Sequence, residues 1–156
     1  MHTIPEFLID KVLFVTGATG FVGKAVVEKL LRHAPGLKRI YLLIRPRNRS
    51  NGVQITAEQR LCREVIPSSV FDPLRSDLGD QFDRMVQEKL VAVSFDLTLE
   101  GLGIAPPLYE QMTQEVDIVI GCAATVVFDE ALDLALEQNT LGPKRVVEFA
   151  RACRDA

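Results

Sequence analysis

Thr16-Gly17-Ala18-Thr19-Gly20-Phe21-Val22-Gly23 is the stretch on which the reading of this chain turns. Before it lies a short apolar run, Val12–Thr16. Behind it, Phe21–His33 repeats apolar residues at Val22, Val26 and Leu30, with Val27 and Leu31 beside them. A nearly continuous apolar run reads as a strand buried on both faces, and the fourth-residue repeat reads as an amphipathic helix. The glycines fall at the junction. Gly17 permits the tight turn, Gly20 lets the backbone approach a pyrophosphate, and Gly23 lets the helix pack close to the strand. The helix start then offers free N–H groups and a positive dipole end to phosphates. Thr16, Gly17, Thr19, Gly20, Phe21, Val22 and Gly23 are therefore expected to bind a dinucleotide. The competing reading is the phosphate loop of nucleoside triphosphatases, because Gly23-Lys24 resembles its end. That reading fails: Ala25 stands where a magnesium-binding hydroxyl is required, and Ala18 where the first glycine belongs.

Outward from this loop, Arg39–Ile44 is the next apolar run, and strand–helix–strand makes the first two strands parallel. About 20 residues past the last glycine, an acidic side chain would bind ribose hydroxyls and select NAD. This chain has Ile44-Arg45-Pro46-Arg47 there. Arg45 suits the 2′-phosphate of NADP, a charge-assisted contact worth roughly 1.5–3 kcal/mol, and Arg47 and Arg49 add to the field. A solvated basic loop would place the same residues there. Two further strands are expected at Leu90–Phe95 and Val116–Ala124. Asp96-Leu97 ends the third and Ala123-Ala124-Thr125 the fourth, and carboxyl ends of parallel strands face the ligand crevice. Asp96, Leu97, Ala123, Ala124 and Thr125 thus join the expected cofactor site, although tight turns also favour small residues.

The connection of about 45 residues between the second and third strands is too long for a plain loop. It reads as a mobile turn at Pro46–Gly52 and helical pieces at Thr56–Glu64 and Asp80–Lys89. Gly101, Gly103, Pro106 and Pro107 mark a surface loop. A last helix spans Leu132–Cys153, with a kink near Gly142-Pro143. The whole, residues 1–156, is expected to be one α/β domain: a Rossmann-type doubly wound parallel sheet in strand order 3-2-1-4, truncated before the remaining strands and the catalytic part. In that order the fourth strand, with Val116, Ile118, Val119 and Ile120, is an unprotected apolar edge, and self-association through it is expected.

A net charge of -3, from 18 basic and 21 acidic residues, excludes a general pull on nucleic acid or anionic membrane. An anion must be held by a few placed groups. Cys62, Cys122 and Cys153 form no CxxC pair and read as small buried residues in a reducing compartment. His2 and His33 are too scattered for a metal. Met1–Lys11 shows no secretory signal, and no run approaches the ~18 apolar residues of a membrane span. A cytoplasmic enzyme is expected.

TGATGFVGKAVVEKLLR (16–32), YLLIRPR (41–47), VFDPLR (70–75), GCAATVVFDEAL (121–132) and NTLGPKRVVEFA (139–150) together resemble the N-terminal part of fatty acyl-CoA reductases. These belong to the extended short-chain dehydrogenase/reductase class. The resemblance implies reduction of a fatty acyl-CoA or other acyl thioester by NADPH. It also implies a Tyr-x-x-x-Lys pair, the tyrosine as general acid and the lysine lowering its pKa. These residues contain no such pair: Tyr41 is followed four residues later by Arg45, and Tyr109 by Thr113. No turnover is therefore expected from the fragment. Asn139 matches the helix asparagine that supports the proton relay in related enzymes, while its plain reading is a polar residue at a helix bend. Gly121 stands where the family usually has His, and Pro143 where it usually has Thr. Two alternatives stay open: a reductase of nucleotide sugars, sterols or flavonoids, and a non-catalytic NADP-binding module. VFDPLR speaks for the acyl group.

Overall fold

Residues 3–49, 52–127, 129–154 and 156 are described by a computed structural model. A short helix, α1 (Ile4–Phe7), is opened by reciprocal capping between Thr3 and Glu6. It leads into β1 (Val12–Thr16), buried throughout, then α2 (Phe21–His33) and β2 (Arg39–Ile44), at the boundaries the apolar periods predict.

The expected turn at Pro46–Gly52 falls within a small antiparallel hairpin, β3 (Arg47–Asn48) against β4 (Gln54–Ile55); Ser50 and Asn51 between them lie outside the described residues. Thr56 caps α3 (Ala57–Arg60), which widens into a π-helical turn at Leu61–Val65. The crossover also holds two helical elements that were not predicted, a 3-10 turn at Ser69–Phe71 running into α4 (Asp72–Leu78), with Pro73 in the first turn of α4. α5 (Gln81–Lys89) then feeds β5 (Leu90–Ser94).

The predicted loop around Gly101–Pro107 also needs correction. Gly101 and Leu102 do turn at positive φ, but Pro106 and Pro107 open a helix, α6 (Pro106–Glu115). Proline lacks only an N–H that the first helical turn leaves unbonded, and its fixed φ suits that position. β6 (Ile118–Gly121) is shorter than predicted at both ends, because Val116 serves as the cap of α6 and Cys122 has left the sheet. The final helix is α7 (Leu132–Leu136), a π-helical turn at Glu137–Leu141, and α8 (Gly142–Ala152). The bend thus precedes Gly142-Pro143. Pro143 has no N–H for the carbonyl four residues back and its ring crowds that carbonyl, and the widened turn takes up the conflict.

The sheet order is β5-β2-β1-β6 with every neighbour parallel, the predicted 3-2-1-4. Alternation along the strands splits the core in two. Leu13, Val15 and Leu42 face α2 and the crossover, where Val27, Leu31 and Phe71 meet them. Phe14, Tyr41 and Leu43 face α6 and α8, with Phe14 stacked on Phe149 at 4.3 Å between ring centroids. This is the doubly wound α/β arrangement, and it brings the carboxyl ends of the strands to one side. Of the cysteines, Cys153 is buried as expected, Cys122 is half-buried and Cys62 is exposed. Among the described residues no helix is long and apolar enough to cross a membrane.

Candidate functional site

The turn from β1 into α2 is fixed by two close approaches. Gly17 has φ +74°, and a Cβ there would stand 2.6 Å from the carbonyl carbon and oxygen of Cys122. A Cβ on Gly23 would stand 2.2 Å from the carbonyl oxygen of Gly17. No side chain fits at either position, so helix, turn and the exit of β6 interlock as bare backbone. Gly20 is under weaker steric demand, its Cβ position lying 3.3 Å from the Gly17 oxygen. It is the N-cap of α2 and has no side chain to accept from the first-turn N–H groups. Those donors are left to an anion. Phe21 and Val22 point their side chains into solvent, so what they offer a ligand is backbone. The Thr16 hydroxyl is buried and accepts from the N–H groups of Cys122 and Ala123 at 3.1 and 3.2 Å. It ties β1 to the exit of β6.

A cavity of about 230 Å³ lies across the strand exits. Gly17, Thr19 and Gly20 line one side, with Arg45 at the end of β2. Asp96, Leu97, Ala123 and Ala124 line the other. Gly23, Thr125 and Asn139 stand outside this lining. Arg45 is not a free cation: its Nε lies 3.2 Å from Asp96 Oδ2. Asp96 also accepts from the N–H and hydroxyl of Thr98, at 2.9 and 2.7 Å. Burial alone would raise the pKa of Asp96; the two bonds from Thr98, with the charges of Arg45 and Arg145, outweigh it and hold the carboxyl below its usual range.

Six lining residues escaped the sequence reading: Leu43, Phe95 and Cys122 at the strand ends, and the polar Arg60, Thr98 and Gln138. Arg60 is buried. Its Nη1 donates to the carbonyl of Arg45 at 2.6 Å, and its Nε and Nη2 donate to Glu64 at 3.1 and 2.6 Å. These bonds from Arg60 hold the Glu64 carboxyl below its usual pKa. The signal in the sequence is the i, i+4 pairing of Arg60 with Glu64, which a solvated helix would show equally. Asn139 spends its amide on one residue: Oδ1 accepts from the Thr125 N–H at 2.9 Å and Nδ2 donates to the Thr125 carbonyl at 3.1 Å.

The geometry is that of an anion-binding turn under a cleft at parallel strand ends, and the family comparison agrees with it. A family of NAD-binding domains described as male sterility protein matches residues 15–156. The chain belongs to this male sterility family. Probable fatty acyl-CoA reductase 5 of Arabidopsis thaliana is 42% identical over 150 residues, 95% of this chain and 29% of that protein. The alcohol-forming fatty acyl-CoA reductase of Simmondsia chinensis is 42% identical over 154 residues, 98% of this chain and 30% of that protein. The chain thus spans less than a third of the length of these curated relatives. The crystal structure of the terminal R domain from the myxalamid PKS-NRPS biosynthetic pathway has the same fold, with TM-score 0.70 at 23% identity, over 94% of this chain and 33% of that one. The kinship with fatty acyl-CoA reductases expected from the motifs is borne out. For a male sterility domain the ligand class is a nicotinamide dinucleotide, and the residues present fit one. The interlocked glycines and the uncapped start of α2 would cradle a pyrophosphate, and the small Ala123 and Ala124 leave room beside it.

Proposed function

We propose that these residues hold NADPH in a reductase of fatty acyl thioesters. One observation carries the reading: the phosphate cradle and a pair of arginines border the same cavity, Arg45 in its wall and Arg60 buried behind it. At the exit of β2, a carboxylate would accept from ribose hydroxyls, whereas a guanidinium pairs with a 2′-phosphate. Arg60, bonded to the Arg45 carbonyl, fixes the backbone from which Arg45 reaches out. The activity named for the relatives supports the acyl thioester as substrate.

Held there, NADPH would supply the hydride that displaces the CoA thiolate from the acyl carbon, leaving aldehyde and NADP⁺. The chain's own part is to bind and orient. Gly17 to Gly23 and the first turn of α2 hold the pyrophosphate, and Arg45 holds the 2′-phosphate. Asp96 and Leu97 border the adenosine half, and Ala123 and Ala124 let a ribose lie against backbone. Asn139, through Thr125, holds the loop leaving β6, and this makes it a positioning residue for any proton relay. With no Tyr-x-x-x-Lys pair in its sequence, the 156-residue chain is proposed to have no turnover by itself. Aldehyde or alcohol formed by the purified chain from acyl-CoA and NADPH would refute that.

The test of the cofactor reading is a calorimetric titration with NADPH and NADH, repeated on Arg45→Ala. Tighter binding of NADPH, with the preference lost in the variant, is expected. Equal affinity for the two cofactors in the wild type would overturn it. Cytoplasmic location belongs to the same proposal, as does self-association. Among the described residues β6 pairs with β1 alone, and Val126, Val127 and Val147 are exposed. A strictly monomeric chain in sedimentation at micromolar concentration would count against the association.

A further inference from the structure

We propose that Gln138 reads the adenine ring of the dinucleotide, an inference that rests on the cofactor reading above. Glu137, Gln138 and Asn139 are consecutive polar residues in the π-helical turn between α7 and α8. Two of them are spent within the protein. Glu137 accepts from Arg145 at 2.7 Å, and Asn139 is bonded twice to the Thr125 backbone. Gln138, half-buried between them, lines the cavity. Among the described residues its amide makes no hydrogen bond.

The turn is locked against the exit of β5. A Cβ on Gly142 would stand 3.1 Å from the Leu97 Cβ, and Arg145 Nη1 donates to the Leu97 carbonyl at 2.9 Å. Turns of this kind forfeit regular helical bonding and recur where a side chain must be aimed. With the pyrophosphate on α2 and the adenosine ribose at the exit of β2, the base extends from Arg45 toward β5. The wall there is Phe95, Leu97 and Thr98. Phe95 is packed into the core beneath, and the half-buried Leu97 is left to meet the face of a flat ring. Thr98 and Asp96 are bonded to each other. The Gln138 amide is what remains to meet the edge of the ring, and its adjacent donor and acceptor match the N6 donor and N7 acceptor of adenine.

The test titrates the 156-residue chain with NADPH, NADH and 2′,5′-ADP, the adenosine half alone, comparing wild type with Gln138→Met and Gln138→Leu. Met keeps the length and helix propensity of Gln and removes the amide. Both variants should bind all three ligands about tenfold more weakly, by a common factor, as expected for loss of a hydrogen-bonded contact. The NADPH-to-NADH ratio and the thermal midpoint should hold, which a general disturbance of the site would not allow. Unchanged affinity for 2′,5′-ADP in both variants overturns the proposal, and a loss confined to NADPH and NADH overturns the adenine assignment by placing Gln138 on the nicotinamide half. If wild type binds none of the three, the cofactor reading falls and this proposal falls with it.

Discussion

Both ends of the four-stranded sheet carry polar and charged side chains, but they use them differently. At the amino ends, Lys11 Nζ and the Val12 N–H donate to the two oxygens of Asp117, at 2.9 and 2.8 Å, and close β1 onto the start of β6. Nearby, Arg39, Tyr41 and Gln111 converge on Glu115 at the end of α6. Each donor there has its acceptor in the cluster. At the carboxyl ends the pairing is left short: α2 starts at an uncapped glycine, Arg45 gives Nε to Asp96, and the Gln138 amide bonds to none of the described residues. A polar cluster that satisfies itself fastens strands together, whereas one short of partners favours a ligand that completes it.

The most damaging way to break this contrast is Gly23→Val. Its Cβ would lie 2.2 Å from the Gly17 oxygen, and neither backbone can yield without opening the turn. A loss of about 3 kcal/mol or more is expected, read as a lowered urea midpoint, together with loss of NADPH binding. A loss below about 1 kcal/mol would show that the interlock is loose. Arg45→Ala comes next and acts at the open end alone. If Arg45 meets the 2′-phosphate as proposed, the variant should weaken NADPH by roughly 10- to 100-fold, leave NADH nearly unchanged and shift stability little.

Asp117→Asn is the counterpart at the closed end. It should cost about 1–2 kcal/mol of stability and leave both cofactor affinities alone. The charge also gives this end a pH signature. Burial would raise the pKa values of Glu115 and Asp117. Bonds from Tyr41 and Gln111 to Glu115, and from Lys11 and Val12 to Asp117, outweigh it and hold both below the usual carboxylate range. With folded values depressed, the unfolded chain takes up protons first as pH falls. The stabilisation is therefore full at neutral pH, starts to fall near pH 4 and is gone below the folded values. Urea midpoints measured from pH 7 to 3 should show this decline, and Asp117→Asn should flatten it. An equal slope in wild type and variant would mean that Asp117 does not contribute.

The same contrast explains what can be read without coordinates. The turn at Thr16–Gly23 is legible because its backbone tolerates few residues, so glycine marks it. β1, α2 and β2 are legible because burial alone sets their bounds. Pro106-Pro107 misleads, since a proline that begins a helix and one that ends it look alike in one sequence. Arg60 and Gln138 are harder still. Their chemistry depends on where the crossover and the π-helical turn bring them, and nothing local separates Gln138 from any polar residue on a helix. Conformational demand leaves a mark in the sequence; a contact made across the fold by an ordinary side chain does not.

Asn139 gives the smallest expected effect and the finest test of the boundary between fastening and binding. Its amide grips Thr125 through one accepting and one donating bond. Asn139→Ala should remove both at an exposed site, for about 1 kcal/mol. Asn139→Asp keeps shape and one acceptor but turns a carboxylate oxygen toward the Thr125 carbonyl, where repulsion replaces a bond. If the side chain acts as a clamp, Asp should destabilise at least as much as Ala despite being nearly isosteric. Both variants should raise amide hydrogen exchange in the loop leaving β6 more than elsewhere. If the amide only faces solvent, Asp should match wild type in stability and exchange. A clamp that holds this loop belongs with the closed end of the sheet in its energetics while standing beside the open one, so the pairing of side chain with backbone, rather than position in the fold, decides which kind of residue it is.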